Sequence, residues 1–463
     1  MNVRRIAPLL NHRAKRDTTI LNYQFSIFHS YREERQQMFL NIVTADGAAE
    51  ERVIREMKAR AAGARGDIEQ IVRGVMADVQ QRGWDAVVEY AERFDGKAPY
   101  IVEPKVLDDA YNACDPKLIA ALEKAAANIR DYHEQMLVKT WEWNRAKGET
   151  LGQTVRGLSR VGIYVPGGTA AYPSSVLMNA IPAKVAGVGE LIMVTPPTEN
   201  MSNEVLAAAK IAGVDTVIAI GGTQAIAALT YGAGFIPQVD KIVGPGNIYV
   251  ATAKRKVFGK VGIDMIAGPS EILVLADGGC NPAWVAADLL SQAEHDKLAS
   301  PVLVTDSPEL AKAVQAELEV QIPQLPRAAI ARASVDDNGK IILCTDLHKA
   351  IEACNIIAPE HLEVCVEDPF GVLNEIKNAG SIFLGRNVPE ALGDYFAGPN
   401  HTLPTSGTAR FSSPLGVDDF VKKSSFIYYT RDALEAVAPR IADFAEREGL
   451  HAHARSVTIR YEK

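Results

Sequence analysis

The chain has 463 residues, 47% of them hydrophobic and 23% charged, which indicates a folded globular protein of two or more domains. A formal net charge of -8, without any Arg/Lys run interleaved with aromatics, argues against nucleic-acid binding. No apolar run approaches the roughly 18 residues that a membrane helix needs, so we expect a soluble protein.

The cysteines and the first residues bear on the compartment in which the chain works. The cysteines are odd in number and scattered: Cys114, Cys280, Cys344, Cys354 and Cys365. They form no CxxC motif, so neither a disulfide framework nor a thiolate zinc site is indicated, and we expect a reducing cytoplasm. Residues 1–37 are basic and lack a secretory apolar region. We interpret them as a poorly packed extension, as sequence before a true start at Met38, or as an organelle transit peptide.

The pattern along the chain changes near residue 161. Residues 50–142 are helical in pattern, with apolar residues three and four apart in 68–92 and 116–136. After residue 161, helical stretches alternate with short β-rich runs at 161–165, 191–194, 214–220, 241–243, 272–276, 302–305, 341–344 and 382–384. Because parallel strands need crossover connections, this alternation predicts an α/β fold with parallel sheets covered by helices.

Several predicted strands end in Gly/Pro-rich turns, at 166–168, 221–222, 244–247 and 268–270. In open α/β sheets, ligands bind beyond the carboxyl ends of the strands, where glycines let backbone amides approach a phosphate. These turns are candidate cofactor loops, although each taken alone could merely connect a strand to a helix. The GxGxxG fingerprint is absent from the sequence, so that motif gives no basis for a dinucleotide.

Four polar residues from three segments are candidate metal ligands: Gln292, His295, Asp394 and His453. Gln292 and His295 are three residues apart on a predicted helix with Asn281 as its N-cap, so both face one side. His453 is predicted to follow the last helix and to precede a strand-like run at 457–461. Two imidazoles, a carboxylate and an amide oxygen suit a cation such as zinc, but spacing alone also allows ordinary polar residues.

The segment 358–361, Ala-Pro-Glu-His, places a carboxylate and an imidazole side by side after a proline. Glu360 and His361 could supply a base near neutral pH and a second group that activates water. The alternative is a loop with two solvated polar residues. His133 and His348 lie in charged helical surroundings, where we expect them to be solvated or to cap a helix.

Eight segments, taken together and in order, resemble the histidinol dehydrogenase family from about residue 40 to the end. They are VGIYVPGG (161–168), GGTQAIAAL (221–229), VDKIVGPGN (239–247), AGPSE (267–271), DLLSQAEH (288–295), APEHLE (358–363), LGDYFAGPNHTLPTSGTARFSS (392–413) and EGLHAH (448–453).

The resemblance implies roles for individual residues. Those that match the family's zinc ligands are Gln292, His295, Asp394 and His453. Those that match its catalytic pair are Glu360 and His361. Those that match its substrate contacts are Ser270, Gln292, His295, His361, Asp394, Glu448 and His453, with Glu390 and His401 as further candidates. Those that match the positions holding NAD are Tyr164, Gln224 and Asn247.

The resemblance also implies a homodimer with shared active sites, in which Glu448 and His453 complete the site of the partner. We predict a helical N-terminal segment and two parallel-sheet domains of an incomplete Rossmann-like type. Residues 38–160 and 271–415 form the first, with the catalytic and zinc residues. Residues 161–270 form the second, on the NAD side, and 416–463 form a helical tail that crosses to the partner.

The activity implied is oxidation of L-histidinol through L-histidinal to L-histidine in histidine biosynthesis, with NAD+ and one zinc ion per subunit. An alternative is a dehydrogenase of the same fold for another small amino alcohol or polyol. A third reading is a non-catalytic zinc-binding or assembly protein.

Overall fold

The computed structural model describes residues 40–62, 66–167, 172–197 and 201–461. The predictions for residues 1–37 and for Met38 lie outside these ranges. Within them, no helix is both long enough and apolar enough to cross a membrane.

The N-terminal part is helical with short strands between the helices. Its elements are β1 (Asn41–Thr44), α1 (Ala48–Ala62), α2 (Gly66–Arg82), α3 (Trp84–Asp95), β2 (Tyr100–Val102), α4 (Pro104–Ala113), α5 (Pro116–Glu134), β3 (Trp141–Ala146) and β4 (Glu149–Gly157). The predicted helical run 68–92 is divided at Gly83, whose φ of +61° separates α2 from α3.

The middle of the chain alternates strands and helices. Its elements are β5 (Arg160–Tyr164), α6 (Pro173–Val185), β6 (Glu190–Thr195), α7 (Asn203–Ala212), β7 (Thr216–Ala219), α8 (Gly222–Tyr231), β8 (Lys241–Val243), α9 (Ile248–Val257) and β9 (Gly262–Ile263). Local capping starts two of these helices, because the side chains of Ser202 and Asn247 accept backbone N–H groups of the first turn.

The same alternation continues to residue 395. The elements are β10 (Glu271–Ala276), α10 (Pro282–Ala293), β11 (Ser300–Thr305), α11 (Pro308–Gln321), α12 (Ala328–Asn338), β12 (Lys340–Leu343), α13 (Leu347–Ile357), β13 (His361–Cys365), α14 (Pro369–Val372), β14 (Ser381–Leu384) and α15 (Glu390–Tyr395). The chain closes with β15 (Val421–Tyr429), α16 (Arg431–Arg447) and α17 (His451–Thr458).

Two six-stranded sheets and one three-stranded sheet arise from these strands in the described part of the chain. The first sheet is all parallel, in the order β1-β12-β11-β10-β13-β14. The second has the order β2-β7-β6-β5-β8-β9 and is parallel except for β2. The third, β15-β4-β3, is antiparallel. The predicted α/β class with parallel sheets is confirmed.

Both large sheets are buried on both faces, which explains their continuous apolar strands. In β10, Ile272 and Val274 pack against α10, whereas Leu273 and Leu275 point to the opposite face and pack with residues of α13. The second sheet behaves in the same way, since alternate residues of β6 belong to cores on its two sides. The eight predicted strands are all present, and all but β8 have shifted ends.

Four sequence predictions are corrected by the fold. Residues 100–102 pair with β7 and so lie in the second sheet, not with 271–415 as the predicted division had it. The tail is not wholly helical and does not leave its own chain at residue 416, because β15 pairs along β4. The prediction of a strand-like run at 457–461 is wrong, since α17 extends to Thr458. His133 is buried and its Nδ1 bonds to the carbonyl of Ile129 over 2.7 Å, so it is not solvated.

Candidate active site

A cleft of about 450 Å³ lies where the amino edge of the first sheet faces the carboxyl edge of the second. Its first wall contains Ser270, just before β10, and His361, the first residue of β13. Its second wall contains Gly167, after β5, and the turn 244–246, after β8. Two of the predicted cofactor turns thus lie opposite the predicted catalytic residues.

Most of the predicted catalytic, zinc and substrate residues line this cleft. They are Ser270, Gln292, His295, Glu360, His361 and Asp394, joined by the further candidate His401. They come from four segments of the sequence, and the crossovers of the parallel sheet bring these segments together.

Glu360 and His361 are both fixed by one residue of the neighbouring strand. Glu360 Oε2 accepts the backbone N–H of Glu271 over 2.8 Å, and His361 Nδ1 lies 2.9 Å from the carbonyl oxygen of Glu271. A carbonyl only accepts, so Nδ1 carries the proton. His361 Nε2 is left buried and without a hydrogen-bond partner among the described residues. The segment is therefore the buried start of a strand and not a solvated loop.

Burial and charge shift the pKa values of this pair. Burial raises the pKa of Glu360 to about 7, against the opposing effects of the His361 imidazolium and the Glu271 N–H. Burial disfavours the imidazolium of His361, but the carboxylates of Glu360, Asp394 and Glu390 outweigh it and raise its pKa to about 10. Carboxylates concentrated around an imidazole in this way mark a place suited to a cation.

The predicted zinc ligands present in the cleft suit such an ion. Gln292 lies in the last turn of α10, which begins as predicted with Asn281 accepting a backbone N–H. Gln292 Nε2 donates to Glu390 Oε1 over 2.5 Å, and Gln292 Oε1 is buried with no hydrogen-bond partner in the described ranges. Burial lowers the pKa of His295, which favours the neutral imidazole that metals bind. His295 lies just past the end of α10, not within the helix.

The fold also brings together His361, Glu390 and Asp394. One potential metal-ligand atom of each residue lies within 4.8 Å of those of the other two. Glu390 is occupied already, since Oε1 accepts from Gln292 and Oε2 accepts from Ser291. Burial raises the pKa of Asp394, but the imidazoles of His361 and His401 outweigh it and lower that pKa to about 2, so Asp394 is the ionised carboxylate.

A family model described as histidinol dehydrogenase matches residues 58–461 of this sequence. The chain belongs to the histidinol dehydrogenase family. It is 52% identical over 399 residues to histidinol dehydrogenase of Streptococcus mutans, covering 86% of this chain and 93% of that protein. It is 54% identical over 398 residues to the Syntrophotalea carbinolica enzyme, covering 85% and 92%. The crystal structure of histidinol dehydrogenase from Elizabethkingia anophelis superposes with a TM-score of 0.86 at 35% identity, covering 92% and 99%.

The three residues predicted to hold NAD lie near the carboxyl edge of the second sheet. None of them is among the described residues that line the cleft. Tyr164 is buried at the end of β5 and its hydroxyl accepts from Gly222 N over 3.1 Å. Gln224 Nε2 donates to Asp95 Oδ2 over 3.1 Å. Asn247 is exposed and caps α9.

Glu448 and His453, the tail residues expected at the site, are not brought to it in this chain. Glu448 ends α16, His453 lies in α17, and both are exposed. Neither is among the described residues that line the cleft. The two tail helices pack on each other through Ala442, Ala445 and Ala454.

Sequence reasoning missed two acidic residues that hold backbone or side-chain groups in place at the facing edges of the two sheets. Asp95 is the last residue of α3. Its Oδ2 accepts hydrogen bonds from the backbone N–H of Gly221 and from Gln224 Nε2. Glu271 Oε1 accepts the N–H of Ser406, whose φ of +58° is unusual for a non-glycine residue. Lone acidic residues of this kind have no spacing pattern, so the sequence offers no signal for them.

Proposed function

We propose that this chain oxidises L-histidinol through L-histidinal to L-histidine, as a step of histidine biosynthesis in the cytoplasm. NAD+ is the hydride acceptor. The observation that carries the proposal is the pair Glu360 and His361, both buried and both fixed on Glu271, in the cleft that contains Gln292, His295 and Asp394. The relatives named above, at about half identity over most of the chain, support the same substrate.

Gln292, His295 and Asp394 would hold one zinc ion per subunit, and His453 from the partner would complete the set. The unpaired oxygen of Gln292 and the ionised Asp394 support this assignment. When bound, zinc would supply a positive charge that helps orient the substrate and offsets the negative charge of the nearby carboxylates. Ser270, and Glu448 from the partner, contact the substrate.

His361 acts as the base in both oxidations, in the zinc-loaded site, where the charge of the metal would offset the carboxylates that otherwise raise the pKa of this imidazole to about 10. Its Nδ1–H is donated to Glu271, so Nε2, which has no hydrogen-bond partner among the described residues, takes the hydroxyl proton while the carbon-bound hydrogen leaves as hydride to NAD+. The product of this step is histidinal, which stays bound in the cleft. Water then adds to the aldehyde, and a second hydride leaves the hydrate for a second NAD+.

Glu360 activates the water for the second oxidation. A carboxyl with a pKa near 7 is balanced between its two forms at neutral pH, as a general base requires. Water is needed only after histidinal has formed, so Glu360 serves one half of the reaction while His361 serves both.

Tyr164, Gln224 and Asn247 are proposed to contact the cofactor from the second sheet. The five parallel strands of that sheet have the order third, second, first, fourth, fifth, as do β10 to β14 in the first sheet. This order supports two incomplete Rossmann-like domains with a dinucleotide beyond the carboxyl ends of β5 and β8. We retain 161–270 and 271–415 as the cores of these two domains.

We propose a homodimer in which the tail beyond β15, with α16 and α17, reaches the partner, whereas residues 421–429 stay with their own chain because β15 pairs with β4. The three-stranded sheet from which the tail leaves exposes Trp141, Trp143, Ile427 and Tyr428, with between 49% and 74% of each accessible in the single chain. Large apolar side chains exposed in this number on one small sheet are typical of a protein interface. The exposed positions of Glu448 and His453, away from the cleft of their own chain, support the same arrangement.

One assay tests the proposal: NADH formed per histidinol consumed, measured at 340 nm with and without a chelator. We expect two NADH per histidinol, loss of turnover on chelation, and recovery with zinc. The circular dichroism spectrum should persist after chelation, because four large apolar cores lie outside the site. Comparison of kcat/KM for histidinol with other amino alcohols and polyols distinguishes the alternative dehydrogenase. If no alcohol yielded NADH, the result would favour the alternative of a non-catalytic zinc-binding or assembly protein.

A further inference from the structure

The second wall of the cleft contains a buried ion pair that the roles proposed above do not use. Lys254 Nζ, on α9, lies 2.5 Å from Asp264 Oδ1, and the side chains are only 6% and 2% exposed. Both residues line the cleft. Removing two charges from water costs free energy that their mutual attraction often fails to recover, so stabilisation of the fold does not by itself account for the pair.

Both members of the pair bind the same residue, Gly244. Asp264 Oδ2 accepts the N–H of Gly244 over 2.8 Å, and Lys254 Nζ donates to the carbonyl oxygen of Gly244 over 2.7 Å. Asp264 is itself held, because Oδ1 accepts the N–H of Met265 over 2.7 Å. The peptide groups on the two sides of Gly244 are thereby fixed by opposite charges.

Gly244 is a position where the backbone needs such fixing. Its φ is +103°, and a Cβ there would lie 2.2 Å from the carbonyl oxygen of Tyr164, so only glycine fits. Glycine has the widest choice of backbone conformations, and it does not select this one unaided. The pair of hydrogen bonds from Lys254 and Asp264 selects it.

The loop that follows is where a dinucleotide would meet the backbone. Residues 244–246 line the cleft directly after β8, and Asn247 then caps the first turn of α9. The neighbour of β8 is β5, the first strand of this sheet's parallel set, so the loop lies where the strand order reverses. Glycine turns that lead into a helix N-terminus at such a place favour a pyrophosphate.

We infer that Lys254 and Asp264 are positioning residues for the cofactor, which act through Gly244 to hold the loop 244–246 and the start of α9 in the shape that receives NAD+. The inference rests on the proposed use of NAD+. Neither side chain takes part in proton or hydride transfer.

The test compares Lys254→Met, Asp264→Asn and the double variant. Each single variant leaves one charge buried without its partner, so it loses stability as well as positioning. The double variant has no buried charge at either position, so a recovered Tm separates the two effects. Arg255→Met is the matched control, because Arg255 is the next residue on α9 but pairs with Glu69 of α2 over 2.9 Å, away from the cleft.

The measurements are the Kd of NAD+ by calorimetry and the KM values for NAD+ and histidinol in the zinc-loaded dimer. We expect the double variant to regain stability but to bind NAD+ about tenfold to a hundredfold more weakly, as for loss of a charged hydrogen bond. The KM for histidinol should stay at the wild-type value, and Arg255→Met should change neither constant. Wild-type affinity for NAD+ in the double variant, or equal weakening for both substrates, would overturn the inference. Wild-type protein that binds NAD+ but never reduces it with histidinol would instead refute the proposed function.

Discussion

Gln292 donates its side-chain N–H to Glu390 over 2.5 Å, and the oxygen of the same amide is buried without a hydrogen-bond partner among the described residues. Glu390 therefore determines which end of the amide faces the cleft. Its own position is determined by Ser291, which donates to Oε2 over 2.8 Å, and by Glu363, which accepts the backbone N–H of Glu390 over 2.7 Å. An unpaired buried oxygen costs about 1–3 kcal/mol, which a bound cation would remove.

Glu390→Ala should lower zinc affinity by about tenfold to a hundredfold, because the amide of Gln292 then rotates freely. The measurement is zinc competition against a chromophoric chelator, with no substrate present. Ser291→Ala is the control: it removes one bond to Glu390 but leaves the bond to Gln292, and it should have a smaller effect. Unchanged zinc affinity in Glu390→Ala would show that Gln292 does not depend on Glu390.

The two members of the catalytic pair should differ by half-reaction. Glu360→Gln should slow oxidation of histidinal by about 10²- to 10⁴-fold while histidinol still yields the aldehyde, because water is needed only in the second step. His361→Ala should slow both steps, since it removes the base from each. The measurement is single-turnover NADH formation with histidinol and histidinal supplied separately. Equal losses for Glu360→Gln with the two substrates would contradict the assigned roles.

A buried pair of acids, Asp288 on α10 and Glu363 on β13, should make stability depend on pH. Burial, with the charge of Asp288, raises the pKa of Glu363 to about 9. The folded protein thus keeps a proton that the unfolded chain releases near pH 4, and this contribution to stability is lost as pH rises toward 9. The loss amounts to about 1.4 kcal/mol per pH unit for one proton.

Glu363→Gln should remove that slope, since glutamine keeps an oxygen for the N–H of Glu390 without needing a proton. The measurement is the urea midpoint between pH 5 and pH 8, where the advantage of the variant over wild type should grow with pH. Glu367→Gln, at an exposed position just beyond the same strand, is the control and should leave the slope unchanged. A constant difference between Glu363→Gln and wild type across this range would show that Glu363 is ionised in the folded protein.

The sequence predicted eight of the parallel strands, most of them apolar runs covered on both faces, and β8 was predicted with its observed ends. It missed β13, since Glu363 and His361 interrupt the apolar pattern with groups that only the folded site can pair. It also missed β15, whose mostly exposed residues have the pattern of a solvated segment. Strands without continuous burial leave too weak a periodicity to be read from one chain.

For the candidate site, the sequence indicated which residues meet but not how they are positioned. Glu360, His361 and Gln292 belong to recognisable segments, and they meet in one cleft. The positioning of these residues was not predictable, because Glu271 and Glu390 act through hydrogen bonds across neighbouring elements. Such bonds depend on register between strands and on helix placement, which local sequence does not encode.

The tail should act in the partner's site, and subunit complementation tests this. Mixing an inactive His361→Ala protein with an inactive His453→Ala protein, under conditions that let dimers exchange, gives hybrids with one site carrying both lesions and one carrying neither. Random pairing makes about half the dimers hybrids, so activity should recover to about a quarter of wild type if the sites act independently. His348→Ala mixed with His361→Ala controls for exchange, since His348 is an exposed histidine that pairs with Glu375 and is not among the described residues lining the cleft. The activity of that mixture should equal the sum of the activities of its two components. If hybrids of the His361→Ala and His453→Ala chains, confirmed by mass, showed no recovered activity, His453 would serve its own subunit.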